Sequence, residues 1–106
     1  MSATANPARG EASFIVAGNE ILLRPSFAAL VAAEAELGPL FALVERAAEG
    51  RLGIAEMASL FFHCAADLPA PVTRDRIGQA IAENGLAKTT PALRILLTQI
   101  LQGRVQ

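Results

Sequence analysis

From residue 26 onward the chain is interrupted by helix-breaking residues at Gly38-Pro39, Gly50, Gly53, Pro69-Ala70-Pro71, Gly85, Pro91 and Gly103, so every segment between breaks is short. The segments are built from strong helix formers, with 22 Ala and 14 Leu among 106 residues. Such a chain can only pack several short helices around one core, since its length allows a single domain. The hydrophobic set is 53% of the sequence, the aromatics are all Phe, and only one cysteine is present. This excludes an all-β sandwich, a disulfide scaffold and a disordered tail.

The N-terminal part reads differently. Residues 1–10 are small, polar or helix-breaking without a period, and are expected to form a mobile leader before a domain over 11–103. A frayed end is expected over 104–106. Two short runs, 12–16 and 20–24, are rich in Phe, Ile, Val and Leu and are separated by Ala17-Gly18-Asn19. Gly18-Asn19 as a two-residue turn predicts a hairpin pairing Val16 with Ile21, Phe14 with Leu23 and Ile15 with Leu22. So small a hairpin must lay one face on the helices. The fold class expected is therefore α+β, mainly α: a two-stranded antiparallel β-hairpin packed on about five short helices.

The helices follow from their punctuation. Ser26 caps 27–37, Pro39 opens a second helix to about 49, and a third covers 54–67 with apolar residues on most of its circumference. Thr73 caps 74–84, and Thr90-Pro91 is expected to open a fifth helix. One core is expected to collect Phe14, Leu23, Phe27, Leu30, Phe61 and Leu97. On the first helix Glu34 falls inside the apolar arc, where a carboxylate needs a partner. Arg24, at the end of the second strand, is the expected partner in a structural ion pair.

Nine Lys and Arg against ten Asp and Glu leave a net charge of −1, spread evenly over both halves. Without a basic footprint or stacking aromatics, no nucleic acid is expected as partner. The longest uncharged run, 57–66, is about half of what a bilayer helix needs, so no membrane is expected either. A lone cysteine and an N-terminus without signal-peptide character make the cytoplasm the expected location.

No residue pattern carries chemistry. His63 and Cys64 are adjacent on a helix and so point about 100° apart, which opposes a nucleophile pair. Cys64 reads as a small buried hydrophobe. One His and one Cys do not make a metal site, and the glycines show no phosphate-binding spacing. The expectation is no catalytic residue, no cofactor and no metal, hence no enzyme.

The stretch Leu22-Leu23-Arg24-Pro25-Ser26-Phe27-Ala28-Ala29-Leu30, with Glu34 and Gly38 after it and Arg9-Gly10-Glu11 before it, resembles the gene transfer agent family of phage tail assembly chaperone-like proteins. Ala48-Glu49-Gly50-Arg51-Leu52 occupies the place of that family's second closing turn, and the likeness extends over residues 9–103. Phe61-Phe62-His63-Cys64 departs from it, being bulkier than the family's third helix. The resemblance implies a non-enzymatic phage-tail or gene transfer agent assembly protein that binds a tail tube or tape-measure protein. The alternative is a small cytoplasmic regulatory or enzyme-accessory module, and tail genes on either side would distinguish the two. With Phe14, Val16, Ile21 and Leu23 facing the helices, Ile15 and Leu22 remain on the hairpin's outer face with Ser13 and Glu20. These four residues form the expected surface for a tail protein or a second copy of the chain.

Overall fold

In the computed structural model, described for residues 5–6 and 10–102, an antiparallel pair of strands, β1 (Ala12–Val16) and β2 (Asn19–Leu23), precedes five helices. These are α1 (Phe27–Leu37), α2 (Leu40–Ala48), α3 (Ile54–Cys64), α4 (Arg74–Asn84) and α5 (Leu86–Gln102). The class is α+β and mainly α. The leader over 1–10 and the frayed end over 104–106 fall largely outside the described residues. Asn6 and Gly10 are described: the Asn6 carbonyl accepts from the Glu11 amide at 3.0 Å, and Gly10 is buried against α5. Gly10 has φ +76°, and a Cβ there would come within 2.6 Å of the Gln99 side chain. Both its backbone angle and the space around it therefore call for glycine.

The hairpin turns at Ala17-Gly18 rather than at Gly18-Asn19, pairing Val16 with Asn19, Ile15 with Glu20, Phe14 with Ile21, Ser13 with Leu22 and Ala12 with Leu23. Both turn residues take positive φ, 50° and 80°, which lets a two-residue loop follow the strands' twist. The Asn19 amide donates back to the Ala17 carbonyl at 3.2 Å. The register differs from the expected one by two residues, so each side chain keeps its face. Phe14, Val16, Ile21 and Leu23 are buried, whereas Ser13, Ile15 and Glu20 are exposed.

Around that inner face lie Leu60, Phe61 and Cys64 of α3, Ile77 and Ile81 of α4, and Leu96 of α5. Phe61 meets Phe14 edge to face, with ring centroids 5.2 Å apart. Two of the expected core residues are only partly buried, Leu30 and Leu97, and Phe27 is 85% exposed. The apolar arc of α1 is wider than the part that faces the core. Its one fully covered residue is Ala33.

Two helix boundaries differ from the punctuation. α3 ends at Cys64 because the next residues join the hairpin: Leu23 and Ala65 form a bridge, the Arg24 amide donates to the Cys64 carbonyl at 2.7 Å, and the Ala66 amide to the Leu22 carbonyl at 2.9 Å. α5 begins at Leu86 and runs through Pro91. The Thr89 and Thr90 hydroxyls donate back to the Gly85 and Leu86 carbonyls at 3.0 and 2.7 Å instead of capping forward. Pro91 forgoes the bond to the carbonyl of the exposed Ala87, four residues before it, and its ring crowds that carbonyl.

Candidate interaction surface

The expected pair of Arg24 and Glu34 is not formed. Arg24 Nε donates to Glu11 Oε2 at 2.9 Å, and Glu11 is buried. Glu34 Oε2 instead accepts from the Leu40 backbone amide at 3.1 Å, capping α2 across Gly38-Pro39. The reason is the exposure of α1's outer arc. With Phe27 and Val31 on the surface, Glu34 lies in solvent and not against the core, so its carboxylate does not need a guanidinium.

A different acid organises the helices. Glu36, at the end of α1, takes His63 Nε2 at 2.7 Å on one oxygen, and Ser59 Oγ at 3.0 Å with Arg74 at 2.6 Å on the other. Arg74 also lies 4.6 Å from the centre of the Phe62 ring. Thus α1, α3 and α4 meet at one carboxylate. Ser59 and His63 are one turn apart on α3, but the acid stands between them, so the hydroxyl proton is directed to the carboxylate and not to the imidazole. The set holds α1, α3 and α4 together at one carboxylate. Burial pushes the Cys64 thiol up to about 12, consistent with a packed and unreactive sulfur. Among the described residues no three of His, Cys, Asp and Glu converge as metal ligands, and no single helix is long and apolar enough to cross a membrane.

The His63 bond, with help from Arg74 and Ser59, lowers the Glu36 pKa below its ordinary value against the opposing effect of desolvation. Glu56 is lowered by the Gly53 amide first and then by Arg46. A carboxylate whose pKa is depressed in the fold stabilises it fully above its unfolded value near 4.5, and that contribution fades as pH falls through the lowered value. The urea midpoint is therefore expected to drop below pH 4.5. Glu36→Gln should flatten that drop while lowering the midpoint at neutral pH; an unchanged acid slope would remove Glu36 from this role.

On the hairpin, the strands exchange hydrogen bonds at alternate pairs starting from Val16 and Asn19, which turns the backbone groups of Ser13 and Ile15 away from β2. No described residue bonds these outward groups. Ile15 itself is 59% exposed. The β2 side differs: the segment after α3 covers its edge at Leu22 to Arg24, and Leu22 is half-buried. Of the four expected surface residues, Ser13 and Ile15 thus stand on the β1 edge with Glu20 directly opposite Ile15, and Leu22, opposite Ser13, is half-buried where the segment after α3 covers β2.

A second surface escaped the sequence reading. α2 buries only Leu43, and the residues beside it, Val44, Ala47 and Ala48, line a hollow of about 330 Å³ with Leu93 and Leu97 of α5. A smaller hollow of about 220 Å³ continues it between Leu40, Phe41 and Val44 on one side and Ile100 and Leu101 on the other. The Leu40, Val44, Ala47 and Ala48 spacing was legible as one apolar face, but nothing local tells a groove from a core.

Fold and surfaces together leave two places where another chain can be met, the β1 edge and the apolar groove between α2 and α5. The family model described as phage tail tube protein, GTA-gp10, matches residues 9–103, and the chain belongs to that family. This places it among phage-tail structural proteins of the gene transfer agent type. No curated protein and no solved structure matches the chain significantly.

Proposed function

We propose that the chain is a non-enzymatic assembly factor of a phage-like tail, chaperone-like in that it binds a tail tube or tape-measure protein in the cytoplasm before the tail is complete. The observation that carries this reading is the open β1 edge, where unpaired backbone groups of Ser13 and Ile15 lie beside the exposed Ile15 side chain. A strand added there gains main-chain hydrogen bonds along the edge and an apolar seat on Ile15. Proteins that have no use for such an edge protect it with charge or a covering segment, as this one does on the β2 side. Family membership supports a tail role and leaves the choice between building block and assembly factor to experiment.

The test is co-purification with the tail tube and tape-measure proteins encoded beside the gene, together with mass spectrometry of finished particles. One of the two should be retained, Ile15→Lys should lose it while keeping the helical circular dichroism, and finished particles should lack the chain. Recovery of the chain as a repeating component of finished tubes would refute the chaperone reading and leave the family assignment intact. Retention by Ile15→Lys equal to that of the parent would remove the edge from the binding surface.

A further inference from the structure

Seven large hydrophobic residues stand exposed among the described residues, and two of them, Phe41 of α2 and Leu101 of α5, stand together beside Leu30 of α1, the helix that also exposes Phe27 and Val31. Phe41 and Leu101 line the smaller hollow together with Leu30, and Phe27 lies one turn before Leu30 on the same side of α1. The patch combines protruding rings with an unfilled groove. That is more apolar surface than scattered exposure explains, and it is the usual form of a protein interface.

We propose that this groove is the interface of a symmetric dimer, its occupant being a second copy of the chain. The argument is complementarity of the face with itself. α2 and α5 run in opposite senses along the groove, because the start of α2 shares a hollow with the end of α5, and the later α2 residues Ala47 and Ala48 line the other hollow with Thr90 and Leu93. The two rims carry opposite charge. On the α5 side Arg94 borders the hollow, and on α2 Glu45 lies one turn from both Phe41 and Ala48. Both side chains are exposed, and neither has an ion pair within the described chain.

A two-fold axis running along the groove lays α2 of each copy over α5 of the other and preserves position along the groove. The result is a four-helix arrangement in which Val44 and Leu97 of both copies close on one another. Phe41 of one copy then faces the Leu101 end of the other. In the same operation Arg94 of one copy meets Glu45 of the other, twice per dimer. An unrelated partner helix would need to bring both signs of charge on its own account; the second copy supplies them through the symmetry.

The hairpin lies outside this contact, so the proposal is independent of the strand edge and of the partner it binds. Sedimentation equilibrium of the full chain tests it. The parent should be a dimer at micromolar concentration, and Phe41→Ser, at an already exposed position, should give a monomer with unchanged circular dichroism. Either Glu45→Arg or Arg94→Glu should weaken the dimer by about tenfold or more, since like charges then face each other twice. The combined exchange of both should restore it to within about threefold of the parent. A chain that is monomeric at sub-millimolar concentration overturns the proposal, as does a dimer indifferent to the single charge reversals. So does an exchange variant as weak as the single ones, or a dimer abolished by Ile15→Lys.

Discussion

Phe61→Ala is expected to remove about 3–5 kcal/mol from the free energy of unfolding, the largest loss of any single side chain in this domain. Phe61 is fully buried at the point where the hairpin's inner face meets the helices, and its ring stands edge-on to Phe14 at 5.2 Å. Truncation removes the transfer energy of the ring, the edge-to-face contact and the packing of the surrounding Leu and Ile, and leaves a cavity. α3 is tied at its C-terminal end to β2 through the Arg24 to Cys64 and Ala66 to Leu22 hydrogen bonds, so it cannot slide to fill the space. A small domain has about 5–15 kcal/mol in total, and the variant should accordingly unfold at far lower urea concentration. Urea titration followed by circular dichroism measures the shift. A loss under about 1.5 kcal/mol would mean that the core collapses around the site and that the tether to β2 does not hold α3 in place.

How far the fold is legible from residues depends on whether a signal is local. Ser26, Gly38, Thr73 and Gly85 mark helix ends through groups within a few positions, and the structure uses Ser26 and Thr73 as side-chain caps accepting from Ala29 and Arg76. Strand faces are equally local, because a two-residue error of register keeps their parity, and Ile15 is exposed in either pairing. The turn itself was misplaced because Gly-Asn is a good turn sequence. Ala17 takes the left-handed conformation instead, and Asn19 serves the turn from its strand end through its side chain. The break at Cys64 was invisible for another reason: it comes from a bridge to a strand some forty residues earlier.

The two apolar surfaces show the same division. Periodicity reveals that α1 and α2 each have an apolar side, yet it does not say whether that side meets a core, another chain or water. Phe27, read as core, is on the surface, and α2 gives the core only Leu43. Nothing next to Glu36 in the sequence marks it as a tie between helices. Its three partners come from α3 and α4, and only the packing of α1 against α3 brings Ser59 and His63 to it. The exposure of Phe27 and Val31 also moved the charge expected beneath them, which changes the prediction for Arg24.

Arg24→Ala should lower stability by about 1–3 kcal/mol, through Glu11 and not through Glu34. The carboxylate of Glu11 is buried, with the guanidinium Nε at 2.9 Å, and deleting the guanidinium leaves a charge out of water without that partner. The value is below that of a fully buried pair because Arg24 is half in solvent, where water screens the attraction. Replacing both, as Arg24→Ala with Glu11→Leu, takes the buried charge away and should recover part of the loss. A double-mutant cycle between Arg24 and Glu11 should accordingly show coupling. The cycle between Arg24 and Glu34 should show none, since Glu34→Ala removes only a cap of α2, worth about 0.5–2 kcal/mol, at a separate site. Additive losses in the first cycle, or coupling in the second, would place the guanidinium on the other acid. The pair joins the segment entering β1 to the residue leaving β2. Its loss should therefore loosen both ends of the hairpin at once, which amide hydrogen exchange at Ala12 and Leu23 would register as faster exchange than at the Phe61 core.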